Sequence, residues 1–265
     1  MVSIPSEIAD QLTLADASWQ PILRNGMHAL ATAAPEYLPA LAADSYLPTA
    51  GRLFAAFTQP LDAVRYVLVG EGPYPREQSA TGVCFMDGAV ESLWSENGLS
   101  KQVNRATSLR NFIKMLLVAE GQLAVEHTTG AAIAQIAQQA RASGSRWIQT
   151  LPQLQENLTR HGFLLLNAAL VFRPHVPPQK EAKAWLPFLH TVLTALAHAQ
   201  TPVRLVLWGK IAASVNALPI SAPFSQSVSE HPYNLSFIAN AAQQALFAPL
   251  HLLRHADPVY PEEHS

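Results

Sequence analysis

The stretch Val67–Phe85 reads VLVGEGPYPREQSATGVCF. An apolar run leads into Gly-Glu-Gly-Pro-Tyr-Pro, and a second apolar patch ends at Phe85. Short apolar runs bounded by Gly and Pro are typical of buried strands. The stretch therefore predicts a strand that leads into a loop carrying one carboxylate, two glycines, two prolines and a tyrosine.

Similar short runs recur along the chain and predict a sheet. Longer helix-like stretches separate the first three of them, and apolar strands that alternate with helices indicate a parallel sheet covered on both faces. The predicted fold is α/β, a three-layer α/β/α sandwich with a central four-stranded parallel sheet. The predicted strands are RYVLVG (65–70), GFLLLNA (162–168), RLVLWG (204–209) and FSQSVSEH (224–231).

The remaining segments predict the organisation of the chain. Residues 1–60 are rich in Ala, Leu and Pro with helical spacing, and we expect a helical N-terminal extension packed on the core. Residues 61–257 form the predicted α/β/α domain, and 258–265 a C-terminal tail. The polar segment 86–107 lacks the strand–helix pattern and is interpreted as a loop insertion.

Composition limits the classes of function. Of 265 residues, 49% are hydrophobic and 14% charged, so the chain can bury a sizeable core. The net charge of −2 gives no global positive field that would attract nucleic acid. A single cysteine, Cys84, excludes an internal disulfide and cysteine-ligated metal clusters. We expect a cytoplasmic monomer without metal or cofactor, signal peptide or membrane segment.

Polar or unusual side chains follow the predicted strands. In open α/β sheets, ligands bind beyond the carboxyl ends of the strands. The sequence therefore predicts a pocket for a small polar ligand at this edge. The residues concerned are Glu71, Tyr74, Asn167, Lys210, His231 and Asn234.

Each of these side chains has a structural and a functional interpretation. A buried Asn167 amide could cap a loop or read the edge of a base, and His231 could be a loop histidine or a donor to an anion. Phe85 could belong to the core or stack on an aromatic ligand. Tyr74, stiffened by two prolines, could wall a pocket or fill a loop. Glu71 and Leu235 could simply be exposed to solvent.

Six motifs, in order, resemble the uracil-DNA glycosylase family over about residues 61–253. GEGPYP is similar to the water-activating motif Gly-Gln-Asp-Pro-Tyr-His, and TGVCF to the Gly-Leu-Cys-Phe that follows it. SLRNFIKML resembles the Ser-Leu-Glu-Asn-Ile helix start, and GFLLLNAAL the uracil-reading strand. LVLWGK resembles Leu-Leu-Trp-Gly-Ser, and HPYNLS the leucine loop His-Pro-Ser-Pro-Leu-Ser.

The resemblance implies a role for each matching residue in excising uracil from DNA for repair. Asn167 would pair with the uracil edge, Phe85 would stack on the flipped base and Tyr74 would exclude a 5-methyl group, while Gly72 would also lie at the base. His231 would stabilise the departing base anion. DNA contacts would come from Leu235, which would wedge into the duplex, and from Ser236, Lys210, Ser108, Arg110 and Arg173.

Several positions depart from the family pattern. Gly72 stands where the family has its catalytic aspartate, and Pro75 where it has a histidine. Glu71 offers a substitute carboxylate, because the iron–sulfur branch of the superfamily has Gly-Glu-Ala-Pro there. The loops that would contact DNA phosphates match the family less well. Two of them read NRATS and IANAAQQALF, and at two single positions the family serine is replaced by Lys210, after Trp-Gly, and by Tyr233, in the leucine loop.

Two functions therefore remain open. One is a divergent glycosylase, slow or with a shifted substrate, in which His231 and Glu71 are catalytic. The other is a non-catalytic homologue that binds a base, nucleic acid or a protein partner. In either case we expect weak, salt-sensitive DNA binding, because few phosphate contacts remain. Candidate phosphate contacts are Lys101, Arg105, Arg110, Arg173, Lys180 and Lys210.

Overall fold

A four-stranded parallel sheet forms the centre of the computed structural model, which describes residues 3–220 and 224–255. The order across this sheet is β4-β1-β5-β6, and every neighbouring pair is parallel. A separate small hairpin pairs β2 with β3. The strands are β1 (Tyr66–Gly70), β2 (Trp94–Ser95), β3 (Gly98–Leu99), β4 (Phe163–Asn167), β5 (Arg204–Trp208) and β6 (Ser225–Ser229).

Helices cover both faces of the sheet. Each predicted sheet strand and each predicted helix between strands is present, which confirms the three-layer α/β/α fold. The helices are α1 (Ser6–Ala9), α2 (Gln20–Ala33), α3 (Tyr37–Ala42), α4 (Lys101–Arg105), α5 (Thr107–Ala119), α6 (Ala131–Arg141), α7 (Leu151–Arg160), α8 (Pro178–Ala197), α9 (Ile211–Asn216) and α10 (Ala241–Phe247).

Alternating residues of the strands build two separate cores. Val67 and Val69 of β1 belong to one hydrophobic cluster with residues of α2 and α8. Leu68, between them, belongs to a second cluster with residues of α5, α7 and α10. Because successive strand residues point to opposite faces, one apolar run supplies both layers.

The N-terminal helices pack on the α8 face of the sheet. Gly26 of α2 lies so close to Phe188 of α8 that a Cβ atom there would be 2.7 Å from the ring, so the contact requires glycine. Trp19 is fully buried, and its indole N–H donates to the Gln59 carbonyl. The boundary near residue 60 stays a prediction, and the predicted tail 258–265 lies outside the described residues.

The segment 86–107 is more ordered than a loop insertion. It contains the hairpin of β2 and β3, followed by α4, whose N-cap Ser100 accepts from the Val103 N–H. The Trp94 indole N–H donates to the Ile148 carbonyl at 2.7 Å, and the Trp94 ring packs edge-on against Trp147. The loop prediction is wrong here because two-residue strands are too short to show an alternating pattern.

Candidate functional site

A cavity of about 210 Å³ lies at the carboxyl ends of the parallel strands. It is smaller than the roughly 300–1,000 Å³ typical of drug-sized ligand sites, so it suits one small ring. The sequence-predicted residues that line it are Glu71, Gly72, Tyr74, Phe85, Ser108, Asn167 and His231. The structure thus brings together side chains that lie up to 160 residues apart in the chain.

Asn167 is the last residue of β4 and pairs with Gly70 of β1. Its side chain is buried, with 3% of the residue exposed, and it makes no hydrogen bond to any described residue. A Cβ at position 70 would lie 2.8 Å from the Asn167 Oδ1, so glycine there makes room for the amide. The Asn167 amide lines the cavity, and its donor and acceptor are not used by the described residues.

Phe85 is held at the cavity by two other aromatic rings. Phe112 of α5 and Trp208 of β5 contact it edge-on, with centroid distances of 5.4 and 5.2 Å. Its backbone has a φ of 66°, which is unusual for a bulky residue and indicates local strain. Trp208 is fixed in turn, because its indole N–H donates to Gln243. The aromatic side chain is therefore rigidly placed.

The loop after β1 forms one wall of the cavity. The Ala168 and Ala169 N–H groups donate to the carbonyls of Gly70 and Glu71, which ties the loop to the end of β4. Glu71 is exposed and lines the cavity without a side-chain partner among the described residues. At Gly72, a Cβ would come no closer than 3.6 Å to any neighbour, so a side chain could be accommodated there.

Tyr74 lies farther along the same loop and also lines the cavity. Burial raises the pKa of its phenol, and the charge of Asp87 adds to this effect. The ring therefore remains neutral and presents a bulky wall to any ligand.

His231 follows β6, and hydrogen bonding selects the tautomer of its imidazole. Its Nδ1 accepts the backbone N–H of Tyr233 at 3.1 Å, so the neutral ring carries its proton on Nε2. Burial lowers the pKa of the imidazole, and the charge of Glu71 opposes this effect. The site thus favours a neutral histidine with an Nε2–H donor.

Asn111 on α5 holds the loop after His231. The residue is fully buried, and its side-chain N–H₂ donates to the carbonyl of Pro232 at 2.7 Å, with longer contacts to those of Tyr233 and Asn234. Leu235 is 69% exposed on this loop, and Ser236 beside it is also exposed. Sequence reasoning missed Asn111, although its place in the SLRNF motif offered a signal.

Comparison with known proteins identifies the family to which this chain belongs. Residues 57–251 match the family described as the uracil DNA glycosylase superfamily. The chain belongs to this superfamily. A uracil-DNA glycosylase from Parafrankia sp. is 30% identical over 189 residues, which is 71% of this chain and 67% of that protein.

Solved structures of uracil-DNA glycosylases agree in fold. A wild-type UNG crystal structure from Nitratifractor salsuginis matches with a TM-score of 0.84 and 39% identity, covering 94% of this chain and 96% of that one. The mimivirus uracil-DNA glycosylase matches with a TM-score of 0.51 and 15% identity, covering 84% and 71%, and shares the fold alone. These matches also confirm the superfamily resemblance seen in the motifs.

The predicted DNA contacts differ in their exposure and in how near they lie to the cavity. Ser108 lies in the first turn of α5 and lines the cavity, and Lys210 is exposed just before α9. Arg110 lies in the same turn as Ser108 and donates to Asn111 Oδ1 and the Asn104 carbonyl. The other candidates, Lys101, Arg105 and Lys180, are exposed on α4 and α8.

Arg173 is not available for DNA. It is 7% exposed, and its guanidinium binds Glu181 at 2.6 Å and Asp44 at 3.4 Å. It also lies 5.2 Å from the centre of the Tyr37 ring. The prediction is wrong because the N-terminal helices bury the arginine, and a sequence motif carries no information about that contact.

Residues 3–220 and 224–255 contain no cluster of three or more His, Cys, Asp or Glu that could hold a metal ion. No described helix is long and apolar enough to cross a membrane.

Proposed function

We propose that this chain is a DNA glycosylase that binds a flipped uracil-like base in the cavity and hydrolyses its N-glycosidic bond. Membership of the uracil DNA glycosylase superfamily supports DNA as the substrate class. The observation that carries the proposal is the buried Asn167 amide, which lines the cavity without a protein partner. An amide presents one donor and one acceptor in a plane, which complements O4 and N3–H of uracil.

Phe85 and Tyr74 define the shape of the proposed base site. The Phe85 ring, braced by Phe112 and Trp208, supplies a rigid surface for stacking a pyrimidine. Tyr74 excludes a base with a 5-methyl group and so selects against thymine. Leu235, exposed on the loop after His231, enters the duplex as the base leaves the stack.

The proposed reaction is hydrolysis at the sugar C1′. Glu71 orients a water and takes its proton while the water oxygen bonds to C1′. The C1′–N1 bond breaks, and its electron pair leaves with the base. The neutral His231 donates its Nε2–H to O2 of the departing anion, which is where negative charge develops.

Gly72 leaves space where the superfamily pattern has an aspartate. The open volume beside Ala169 allows a water to occupy this position or Glu71 to turn toward it. We expect slower hydrolysis than an aspartate supports, because a positioned base contributes about 10²–10⁴-fold. Few basic groups lie near the cavity, which supports weak DNA binding that falls as salt rises.

The test is single-turnover incision of oligonucleotides that contain uracil, with thymine, hypoxanthine, xanthine and 5-hydroxymethyluracil as comparisons. We expect cleavage at uracil and none at thymine. His231→Leu should lower the rate by about 10²–10³-fold, the usual cost of removing one donor to a developing anion. Glu71→Gln should also lower it, and Gly72→Asp should raise it by about 10²–10⁴-fold.

Glu77→Gln is the matched control for Glu71→Gln, since Glu77 is exposed on the same loop and accepts from Thr49 outside the cavity. Wild-type cleavage that survives both His231→Leu and Glu71→Gln would contradict the assigned roles. Absence of cleavage by both wild type and Gly72→Asp would favour the alternative, a non-catalytic homologue that binds a base, nucleic acid or a protein.

A further inference from the structure

A second pocket lies at the opposite edge of the sheet from the cavity. His161 at its wall directly precedes Gly162 and β4, so the pocket is near the amino end of the strand whose carboxyl end carries Asn167. Its volume is about 350 Å³, within the range typical of small-molecule sites. The basic residues that line it are Arg146, Arg160, His161, His251, Arg254 and His255.

The pocket is built from two segments that are locked together. Asn157 of α7 is buried, and its side-chain N–H₂ donates to the carbonyls of Leu252 and Arg254, both at 2.8 Å. The His255 N–H donates to the Arg146 carbonyl at 2.7 Å. His251 has a left-handed backbone with a φ of 45°, a conformation that costs energy in a non-glycine residue.

Neutral groups, rather than a contacting carboxylate, orient the Arg254 guanidinium. It lies 3.5 Å from the centre of the Trp147 ring, and it makes no salt bridge or hydrogen bond with another described residue. Stacking on an aromatic face leaves the N–H groups at the edge of a guanidinium able to bind an anion. Arg160 donates to the amide oxygen of Asn157, and it also binds Glu156.

Electrostatics in the pocket also favours an anion. Burial lowers the pKa of the Arg254 guanidinium, the charge of Glu120 opposes this effect, and the charge of Arg146 makes a smaller contribution that lowers the pKa. Burial likewise lowers the pKa of His161; a hydrogen bond with the Leu250 backbone opposes this effect, and the charges of Arg160 and His251 add to it. Two carboxylates offset part of this charge, because Glu120 lies 3.8 Å from His251 and Glu156 pairs with Arg160, but neither contacts Arg254. An anion beside Arg254 offsets the cost of burying its charge.

We propose that this pocket binds a small phosphate-bearing ligand, with Arg254 and Arg160 as its principal contacts. A planar guanidinium matches the oxygens of a phosphate group, and that of Arg254 has no hydrogen-bond partner among the described residues. Arg160 has five N–H donors, more than its contacts to Asn157 and Glu156 use, and a pocket of about 350 Å³ fits a small molecule better than a duplex. The ligand would bind independently of the base cavity, because the two sites lie at opposite edges of the sheet.

The experiment is calorimetric titration of the full chain with inorganic pyrophosphate, with an undamaged duplex as the second titrant. Pyrophosphate should bind with 1:1 stoichiometry, and Arg254→Gln should weaken it at least about tenfold, as expected for losing a charge-assisted hydrogen bond of about 1.5–3 kcal/mol. Arg141→Gln removes an equal charge from an exposed position at the end of α6 and should leave binding unchanged.

Arg160→Gln is the second variant, because Arg160 is exposed and its loss should not disturb the Trp147 contact. It should also weaken pyrophosphate binding. The proposal is overturned if wild type shows no saturable pyrophosphate binding, or if Arg254→Gln and Arg160→Gln bind as tightly as Arg141→Gln. Duplex binding that requires Arg254, without pyrophosphate binding, would overturn it in favour of a DNA-backbone contact. Uracil incision is unaffected in each case, so this test and that of the proposed function fail separately.

Discussion

The base cavity and the cluster around Arg173 both bury polar side chains, but they differ in how those side chains are paired. In the cluster, Arg173 binds Glu181 and Asp44, and the Tyr37 hydroxyl donates to Glu181 while accepting the Trp185 indole N–H. In the cavity, the Asn167 amide has no partner among the described residues. Complete pairing indicates a structural role, whereas an unpaired buried group points to a ligand.

The comparison predicts that breaking the paired cluster costs stability but not catalysis. Arg173→Met leaves Glu181 buried with its charge uncompensated, so the free energy of unfolding should fall by about 3–5 kcal/mol. Chemical denaturation measures this loss. Arg141→Met is the control, because Arg141 is exposed at the end of α6 and its loss should cost at most about 0.5 kcal/mol. Equal effects of the two variants would contradict the structural role of Arg173.

Asn111 extends the comparison, because it is a paired residue that supports the unpaired site. Asn111→Ala leaves the carbonyls of Pro232 and Tyr233 without the Asn111 donor, and the free energy of unfolding should fall by about 1–3 kcal/mol. The incision rate constant should also fall, since His231 precedes the released loop.

Asn157→Ala is the matched control for that variant, because Asn157 is also buried and donates to two backbone carbonyls, those of Leu252 and Arg254, outside the cavity. Duplex affinity and the single-turnover rate constant should be measured separately. An Asn111→Ala protein that loses stability but keeps the wild-type rate constant would restrict Asn111 to a structural role.

The pH dependence of incision tests the neutral His231. Burial lowers the folded-state pKa of this imidazole below its usual 6.5. The incision rate constant should not change with pH above 6.5. Below the folded-state pKa it should fall by about tenfold for each pH unit, because the ring becomes protonated. His231→Gln should remove this dependence, and a rate that rises as pH falls would contradict a neutral donor.

The lowered pKa of His231 also predicts how the free energy of unfolding changes with pH. The direction is opposite to that of a histidine whose pKa is raised by a salt bridge. The unfolded state binds a proton at His231 more readily than the folded state, so acid favours unfolding. The stability that His231 contributes is therefore present above pH 6.5 and is lost as pH falls through the folded pKa. Comparing wild type with His231→Gln by denaturation across this window isolates the effect.

The sequence predicted the sheet because its strands carry a strong local signal. The runs YVLVG and FLLLN are mostly apolar and bounded by turn residues; β1 is a central strand, and β4, although it lies at an edge of the sheet, is buried along its whole length. It failed where the signal is short or depends on distant contacts. The two-residue strands β2 and β3 are too short to show an alternation of polar and apolar residues.

The residues that line the cavity were predicted by motif and by strand-end position, but the contacts that hold them in place were not. The Nδ1 contact that sets the tautomer of His231, and the Asn111 contacts that hold its loop, join groups that only the folded chain brings together. Arg173 was misassigned for the same reason, since its carboxylate partners lie 129 and 8 residues away in the chain. Local patterns identify a pocket, whereas pairing decides which polar residues are free to act.

The most direct measurement compares two buried asparagines, Asn167→Ala and Asn157→Ala, for incision rate and for the free energy of unfolding. Asn157 is fully paired, so its loss should cost about 1–3 kcal/mol of stability and leave uracil incision unchanged. Asn167 has no partner, so its loss should change stability by less than about 1 kcal/mol and slow incision by about 10–100-fold. An Asn167→Ala protein that incises uracil at the wild-type rate would contradict the assignment of the cavity as the base-binding site.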